Sequence, residues 1–255
     1  TGSQESARSG AQRTHCRPSS EPPGSAAWSN LIMSVQGSVP TGDARRAVTF
    51  DGVGVLIDDQ VLLLEASGAV DAGQVLALTG ANGSGKTTLL RVIAGIQSPT
   101  AGTVRVNGLV PDDRDARFRR ALAALIGPPQ TARDLTIHEH LRFIAATWGT
   151  SAAAATEQAD ALLAELALEH LGARYPHELS SGQSQLAALA MTLARPADVL
   201  LLDEPEQRLD ADRLGLVNDA VARRAADGAA VIVASHSPRV LDELADDELH
   251  LTEGA

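Results

Sequence analysis

The chain has 255 residues, 44% of them hydrophobic, which suits one large domain or a compact core with a small appended lobe. Asp and Glu outnumber Lys and Arg 32 to 21, a formal net charge of −11, and this argues against a nucleic-acid partner, whose phosphates call for clustered basic residues. The lone Cys16 excludes an internal disulfide and fits a reducing compartment, and no run approaches the ~18 consecutive apolar residues of a bilayer span.

Residues 1–43 are rich in Ser, Gly, Pro and Arg without apolar periodicity, and they are expected to be a disordered tail with no secretion signal. The first methionine is Met33, so the natural start is expected near it. Residues 44–255 form the expected folded domain. From Ala47 to Val75 the pattern reads as short strands broken by "DGVG", "DDQ" and "DAGQ", with Val61–Leu64 an apolar strand core. "GTVRVNG" at Gly102–Gly108 is another short alternating strand closed by an Asn-Gly turn. Together these predict a small antiparallel lobe beside a central strand at Val75–Leu78.

That central strand runs into Gly80–Thr87, which fits G-x-x-x-x-G-K-[ST] between an apolar strand and a helical period beginning at Leu89. Gly80, Gly83 and Gly85 permit positive φ and close backbone approach, so the N–H groups of Gly80, Ala81, Asn82, Gly83, Ser84, Gly85, Lys86, Thr87 and Thr88 can gather round phosphates at a helix N-terminus. Lys86 supplies a point charge to the β- and γ-phosphates, and the Thr87 hydroxyl is a ligand for Mg²⁺.

Between Arg117 and Arg195 the period becomes helical. Thr136 and Glu139 make a capping box ahead of "HLRFIAATW", and "ATEQADALLAELAL" is strongly helical, so an inserted helical subdomain is expected at about residues 131–195. Two short apolar runs follow, Val199–Leu202 and Ala229–Ser235, which read as buried parallel strands. Their C-terminal ends carry Asp203, Glu204 and His236, and open α/β sheets bind ligands at that edge. Asp203 is placed to hold Mg²⁺, and Glu204 to act as general base on the water attacking the γ-phosphorus. His138, His140, His177 and His250 pair with no second ligand at metal-site spacing and are expected to be surface or capping residues.

"LSSGQSQ" at Leu179–Gln185, standing shortly before "VLLLDEP", resembles the signature of the ATP-binding cassette (ABC) family. The resemblance covers roughly residues 47–252. Gly80–Thr88 is similar to the family's Walker A, Gln130 in "IGPPQ" to its Q-loop, Val199–Glu204 to Walker B, Asp210 in "EQRLD" to the D-loop aspartate and His236 in "VIVASHS" to the switch histidine. It implies an α/β fold: a phosphate-loop NTPase (RecA-like), with a mostly parallel sheet core, the antiparallel lobe and the helical subdomain. It further implies a head-to-tail pair of such chains, in a homo- or heterodimer, with two ATP between them. Ser180 and Gly182, at a helix N-terminus, would face the γ-phosphate held by the partner chain, with Asp210 at the same contact. Gln130 would touch Mg²⁺ or the attacking water, and His236 would donate to the γ-phosphate.

Three features depart from the family pattern. Ser181 stands for the first glycine of "LSGGQ"; Glu206, Gln207 and Arg208 replace the commoner D-loop residues; and Ile57 falls where the family stacks an aromatic on adenine. The expected function is the ATPase subunit of a membrane transporter, cytoplasmic and held to the inner face of the membrane by separate transmembrane permease subunits. Their coupling helices would enter a groove beside Gln130 that includes parts of Thr131–Phe143. With only about nineteen residues after His236, a small exporter is expected over an importer. A non-transport cassette of the iron–sulfur assembly type is the alternative. A phosphate-loop kinase or GTPase would need neither the signature nor the switch histidine, and the guanine-reading N-K-x-D is missing.

Overall fold

The computed structural model describes residues 46–252. The 1–43 tail, Met33 and Cys16 lie outside the described residues. In chain order come β1 (Arg46–Ile57), β2 (Gln60–Asp71), β3 (Val75–Thr79), α1 (Lys86–Ile93), β4 (Ala101–Val106), α2 (Ala116–Ala121), β5 (Leu122–Leu125), α3 (Ile137–Thr147), α4 (Ala152–Glu165), α5 (Ser181–Leu193), β6 (Val199–Asp203), α6 (Ala211–Ala226), β7 (Ala230–Ala234), α7 (Pro238–Leu244) and β8 (Asp247–His250).

Five strands pair in parallel in the order β5-β6-β7-β3-β8, and three pair antiparallel in the order β2-β1-β4. This is the expected α/β arrangement of a phosphate-loop NTPase. β3, β6 and β7 are apolar along almost all their length because both faces are covered, and their two-residue period divides the side chains between two cores, whereas the edge strand β8 is polar and mostly exposed. Val75, Ala77, Leu200, Leu202, Val231 and Val233 face a core shared with α5 and α6. Leu76, Leu78, Val199, Leu201, Ala230 and Ile232 face the opposite core, where Leu89, Leu90 and Ile93 of α1 sit between this sheet and Val48, Phe50 and Val53 of the antiparallel one.

"DGVG" does not break a strand. β1 continues for 12 residues and absorbs Gly52 (φ 57°) in a bulge between Phe50 and Val53. A Cβ on Gly102 of β4 would lie 2.3 Å from the Gly52 backbone, so the close approach of the two strands at the bulge requires glycine at 102. The turns are Asp58-Asp59, both left-handed (φ 47° and 63°); "DAGQ", where Gln74 N–H donates to the Asp71 carbonyl at 3.1 Å between β2 and β3; and Asn107-Gly108 (φ 48° and 75°), which closes on a Val106–Leu109 bridge.

Helices α3, α4 and α5 pack on one another. Thr136 and Glu139 form the expected capping box: Glu139 N–H donates to Thr136 Oγ1 at 3.3 Å and Thr136 N–H to Glu139 Oε2 at 2.8 Å. Glu165, at the end of α4, is bonded to Arg223 and Arg224 of α6 at 3.0 Å each, which fastens the helical segment to the sheet's helix layer. β5 lies within the span whose period reads as helical, and it forms the edge strand beside β6.

His140 is buried, contrary to the expectation of a surface or capping role. Its Nε2 accepts from Ala132 N–H at 2.9 Å and its Nδ1 lies 2.8 Å from the Thr136 carbonyl, the arrangement of a neutral imidazole tying the 131–136 loop to α3. His138 meets Asp160 at 3.0 Å, His177 stacks on Tyr175, and His250 Nδ1 lies 3.1 Å from Thr79 Oγ1. Among the described residues no three His, Cys, Asp or Glu side chains gather into a metal cluster.

Candidate nucleotide site

The parallel register places the C-terminal ends of β3, β6 and β7 at one sheet edge. From β3 the chain enters the glycine loop. Gly80 (φ 130°) and Gly85 (φ 96°) are glycines for two reasons: their φ values, and the 2.2 Å and 2.8 Å that would separate an added Cβ from the carbonyl oxygens of Leu251 and Leu62. Gly83 (φ 88°) has open space around it. The loop is thus wedged at both ends by backbone and presents Ala81, Asn82 and Gly83 outward, all exposed.

Lys86, the first residue of α1, is buried and its Nζ donates to the carbonyls of Gly80 at 2.8 Å and Ala81 at 2.9 Å. Helix α1 opens without a side-chain cap or an acidic residue in its first turn, so its leading N–H groups and dipole are available to an anion. The Ser84 hydroxyl is buried within the loop with no hydrogen-bond partner among the described residues, an orphan that a phosphate oxygen would satisfy. Thr88 lies one residue on, partly buried.

Thr87 Oγ1 donates to Asp203 Oδ2 at 2.8 Å, joining the loop to the end of β6. Burial pushes the Asp203 carboxyl above the ordinary carboxylate range, the Thr87 bond opposes this and the neighbouring Glu204 charge adds to it. A buried carboxylate held against a hydroxyl suits Mg²⁺, a hard cation that takes oxygen ligands and would favour the ionised form. The donor set fits the ion.

Glu204 leaves β6 in a left-handed conformation (φ 48°), rare for a residue with a Cβ, and its N–H donates to the Ala234 carbonyl of β7 at 2.8 Å. This turns the carboxylate out of the strand toward His236, whose Nε2 is 3.4 Å from Glu204 Oε1. Gln207 Nε2 donates to the other oxygen. A cleft of about 380 Å³ joins Thr87, Asp203, Glu204 and Gln207 to Gly127, Pro128 and Pro129 beyond β5 and to Ser181, Ser184 and Gln185 of α5, and His236 lies outside its lining.

Not every expected residue sits there. Gln130 is exposed just past the two prolines and lies outside the lining. The Ser180 hydroxyl caps α5, accepting from Gln183 N–H at 3.4 Å, while Gln183 Oε1 returns to Ser180 N–H at 2.9 Å. Gly182 is buried, and an added Cβ would sit 2.8 Å from the Arg208 carbonyl. Within this chain its close approach is to the segment after Glu204, and Ser180 and Ser181 are the exposed residues of that helix end. Asp210 caps α6, with Oδ1 accepting from Arg213 N–H at 2.9 Å.

Gln185 is a site neighbour that motif reasoning passed over. Its Nε2 lies 3.3 Å from the carbonyls of both Glu204 and Pro205. The signal was present: Ser181, Ser184 and Gln185 stand at i, i+3 and i+4 on one helix face. Ile57 ends β1 at the hairpin turn, 47% exposed, opposite Gln60.

A glycine loop at a helix start, a hydroxyl joined to a strand-end carboxylate, and a second carboxylate facing a histidine define a phosphate-loop nucleoside-triphosphatase. The family profile described as "ABC transporter" matches residues 63–207. An ABC transporter ATP-binding protein of Brucella suis biovar 1 (strain 1330) is 36% identical over 210 residues, 81% of this chain and 86% of that protein. An Fe(3+) ions import ATP-binding protein of Pseudomonas fluorescens is 38% identical over 192 residues, 73% of this chain and 53% of its own length, so the chain spans about half of that relative. The solved ATP-binding subunit of an ABC transporter superposes with a TM-score of 0.74 at 26% identity, covering 82% of this chain and 88% of that one. The chain belongs to the ABC transporter ATP-binding family and is an ABC-type ATPase domain. No helix among the described residues is long and apolar enough to cross a membrane.

Proposed function

We propose that this chain is the ATP-hydrolysing subunit of a transporter whose membrane-spanning parts are separate polypeptides, and that Glu204 is its general base. The observation that carries the reading is the meeting of Thr87, Asp203, Glu204 and His236 at one sheet edge, with Thr87 bonded to Asp203 at 2.8 Å and Glu204 3.4 Å from His236.

The loop Gly80–Thr88 holds the phosphates through its N–H groups, and Lys86 exchanges its carbonyl partners for their oxygens. Bound by Thr87 and Asp203, Mg²⁺ would supply charge neutralisation on the β- and γ-phosphates. Glu204 takes the proton of the attacking water, and His236 donates to the γ-phosphate. Ser180, Ser181 and the leading N–H groups of α5 serve the nucleotide of a second copy, in a head-to-tail pair that also brings Asp210 to the contact. Gln130, exposed at the loop before α3, would reach Mg²⁺ or the water only if that loop moves. Adenine meets Ile57 by apolar contact.

Permease subunits dock on the helical segment. A groove of about 610 Å³ there, lined by Thr136, His138, Glu139 and Arg142 among others, overlaps the expected Thr131–Phe143 surface. Such docking would hold the chain at the cytoplasmic face of the membrane. The expectation of export finds no support, and the relative named for Fe(3+) import favours import.

Glu204→Gln tests the reading. Removing a general base costs on the order of 10²–10⁴ in rate, while ATP binding, which rests on the loop, stays at the parental affinity. Parental hydrolysis by Glu204→Gln would overturn the assignment.

A further inference from the structure

We infer that Glu206 is a positioning residue for His236: its carboxylate locks the turn after β7 so that the imidazole stays opposed to Glu204. The inference rests on the reading of Glu204 and His236 given under Proposed function. Glu206 lies two residues past Glu204, in the stretch that departs from the family's commoner D-loop, and its side chain reaches back under the end of β7. Its Oε1 accepts from the Ser235 hydroxyl and from His236 N–H, the latter at 3.2 Å. Ser235 is fully buried, and its Oγ in turn accepts from Ser237 N–H at 3.0 Å, so both peptide neighbours of His236 are fixed through one hydroxyl. The other Glu206 oxygen is buried and has no partner among the described residues.

A carboxylate in such a place carries a desolvation cost that charge-assisted bonds must offset, and its removal would leave a buried hydroxyl and an N–H without their acceptor. The frame this makes is specific. Three bonds tie the turn at 204–206 to the turn at 234–236: Glu204 N–H to the Ala234 carbonyl at 2.8 Å, and the Ser235 hydroxyl and His236 N–H to Glu206. The 3.4 Å between Glu204 and His236 side chains is set by all three. Without the two Glu206 bonds the imidazole keeps its chemistry and loses its aim. Nucleotide affinity, which rests on the Gly80–Thr88 loop, is untouched.

The test is steady-state ATP hydrolysis and ATP binding by Glu206→Ala, Glu206→Gln, Ser235→Ala and the Glu206→Ala/Ser235→Ala double variant, with His236→Ala alongside. Misplacing a catalytic group by about 1 Å can cost ~10²-fold, so Glu206→Ala should lower kcat by about 10- to 100-fold with the ATP Kd within about twofold of the parent. Glu206→Gln keeps the Oε1 acceptor and should recover most of the rate. The double variant should be no slower than Glu206→Ala, since both substitutions break one frame. Parental kcat in Glu206→Ala, a Glu206→Gln as slow as Glu206→Ala, or losses that multiply in the double variant would each overturn the inference. Should Glu206→Ala fail to fold, Ser235→Ala decides: a reduced kcat at unchanged Kd supports the frame, and a parental kcat overturns it. His236→Ala at the parental rate would instead remove the histidine reading itself, whereas a slow His236→Ala beside a fast Glu206→Ala overturns the positioning role alone.

Discussion

Asp203 shows at the scale of one residue how the site is held at a cost to the fold. Its carboxyl is pushed above the ordinary range chiefly by burial, so the folded chain binds this proton more tightly than the unfolded one. Stability therefore falls as pH rises from the unfolded carboxylate pKa through the raised folded one, and the penalty is full above both. Asp203→Asn keeps an oxygen acceptor for Thr87 and removes the penalty. Its melting temperature should exceed the parent's at neutral pH without Mg²⁺, the gain should vanish as pH falls to where Asp203 is protonated, and ATP hydrolysis should drop. A melting temperature unchanged at neutral pH would show that Asp203 carries no such penalty. Ile57 poses the complementary question. Stacking a base on an aromatic is worth roughly 1–3 kcal/mol in single-stranded nucleic-acid sites, and isoleucine offers no π-face. ATP and GTP should be hydrolysed within about tenfold of each other, about 1.4 kcal/mol, and Ile57→Tyr should tighten ATP binding. A strong ATP preference in the parent, unchanged in Ile57→Tyr, would assign adenine recognition to other residues.

Between elements, the α5 terminus and the segment after β6 are in backbone contact at Gly182. An alanine there would press its Cβ to 2.8 Å from the Arg208 carbonyl, a backbone atom held by its own left-handed residue (φ 64°). Overpacking of this kind typically costs about 1–3 kcal/mol. Denaturant unfolding should show a loss of that size for Gly182→Ala, while Ser181→Gly, at an exposed position, should cost no more than about 1 kcal/mol. Equal stability of Gly182→Ala and the parent would mean that the contact yields freely. Which elements could be read from the sequence follows from the same physics. Val199–Leu202 and Ala229–Ser235 announce buried parallel strands because branched apolar residues run without interruption, and Thr136 with Glu139 announces a helix start because its capping chemistry is local. β5 hides because "LAAL" is short, alanine-rich and flanked by helix-forming sequence, so only pairing with β6 makes it a strand. The β1 bulge hides because Gly52 reads as a turn until Gly102 is laid against it.

In the whole molecule, the two sheets meet through α1, so the phosphate loop is the joint between them, and α5 brings the signature helix to the same cleft from the opposite core. The residues proposed to bind and cut could be read from the sequence because phosphate chemistry asks for Lys86 and Thr87 at the start of a helix after a glycine loop, and for Asp203 and Glu204 at the end of a buried strand. The roles of Gln185 and Glu206 could not, since both depend on side chains reaching across loops distant in sequence. A single chain presents Ser180 and Ser181 at an exposed helix end, and the proposed function pairs them with the nucleotide of a second copy. The most direct test is the solution mass of Glu204→Gln with Mg²⁺ and ATP, followed by light scattering across a concentration series. A stable dimer should form that requires ATP, is missing in Lys86→Ala, and dissociates in the parent as ATP is consumed. A Glu204→Gln chain that binds ATP and stays monomeric at every concentration would contradict the proposed head-to-tail pair.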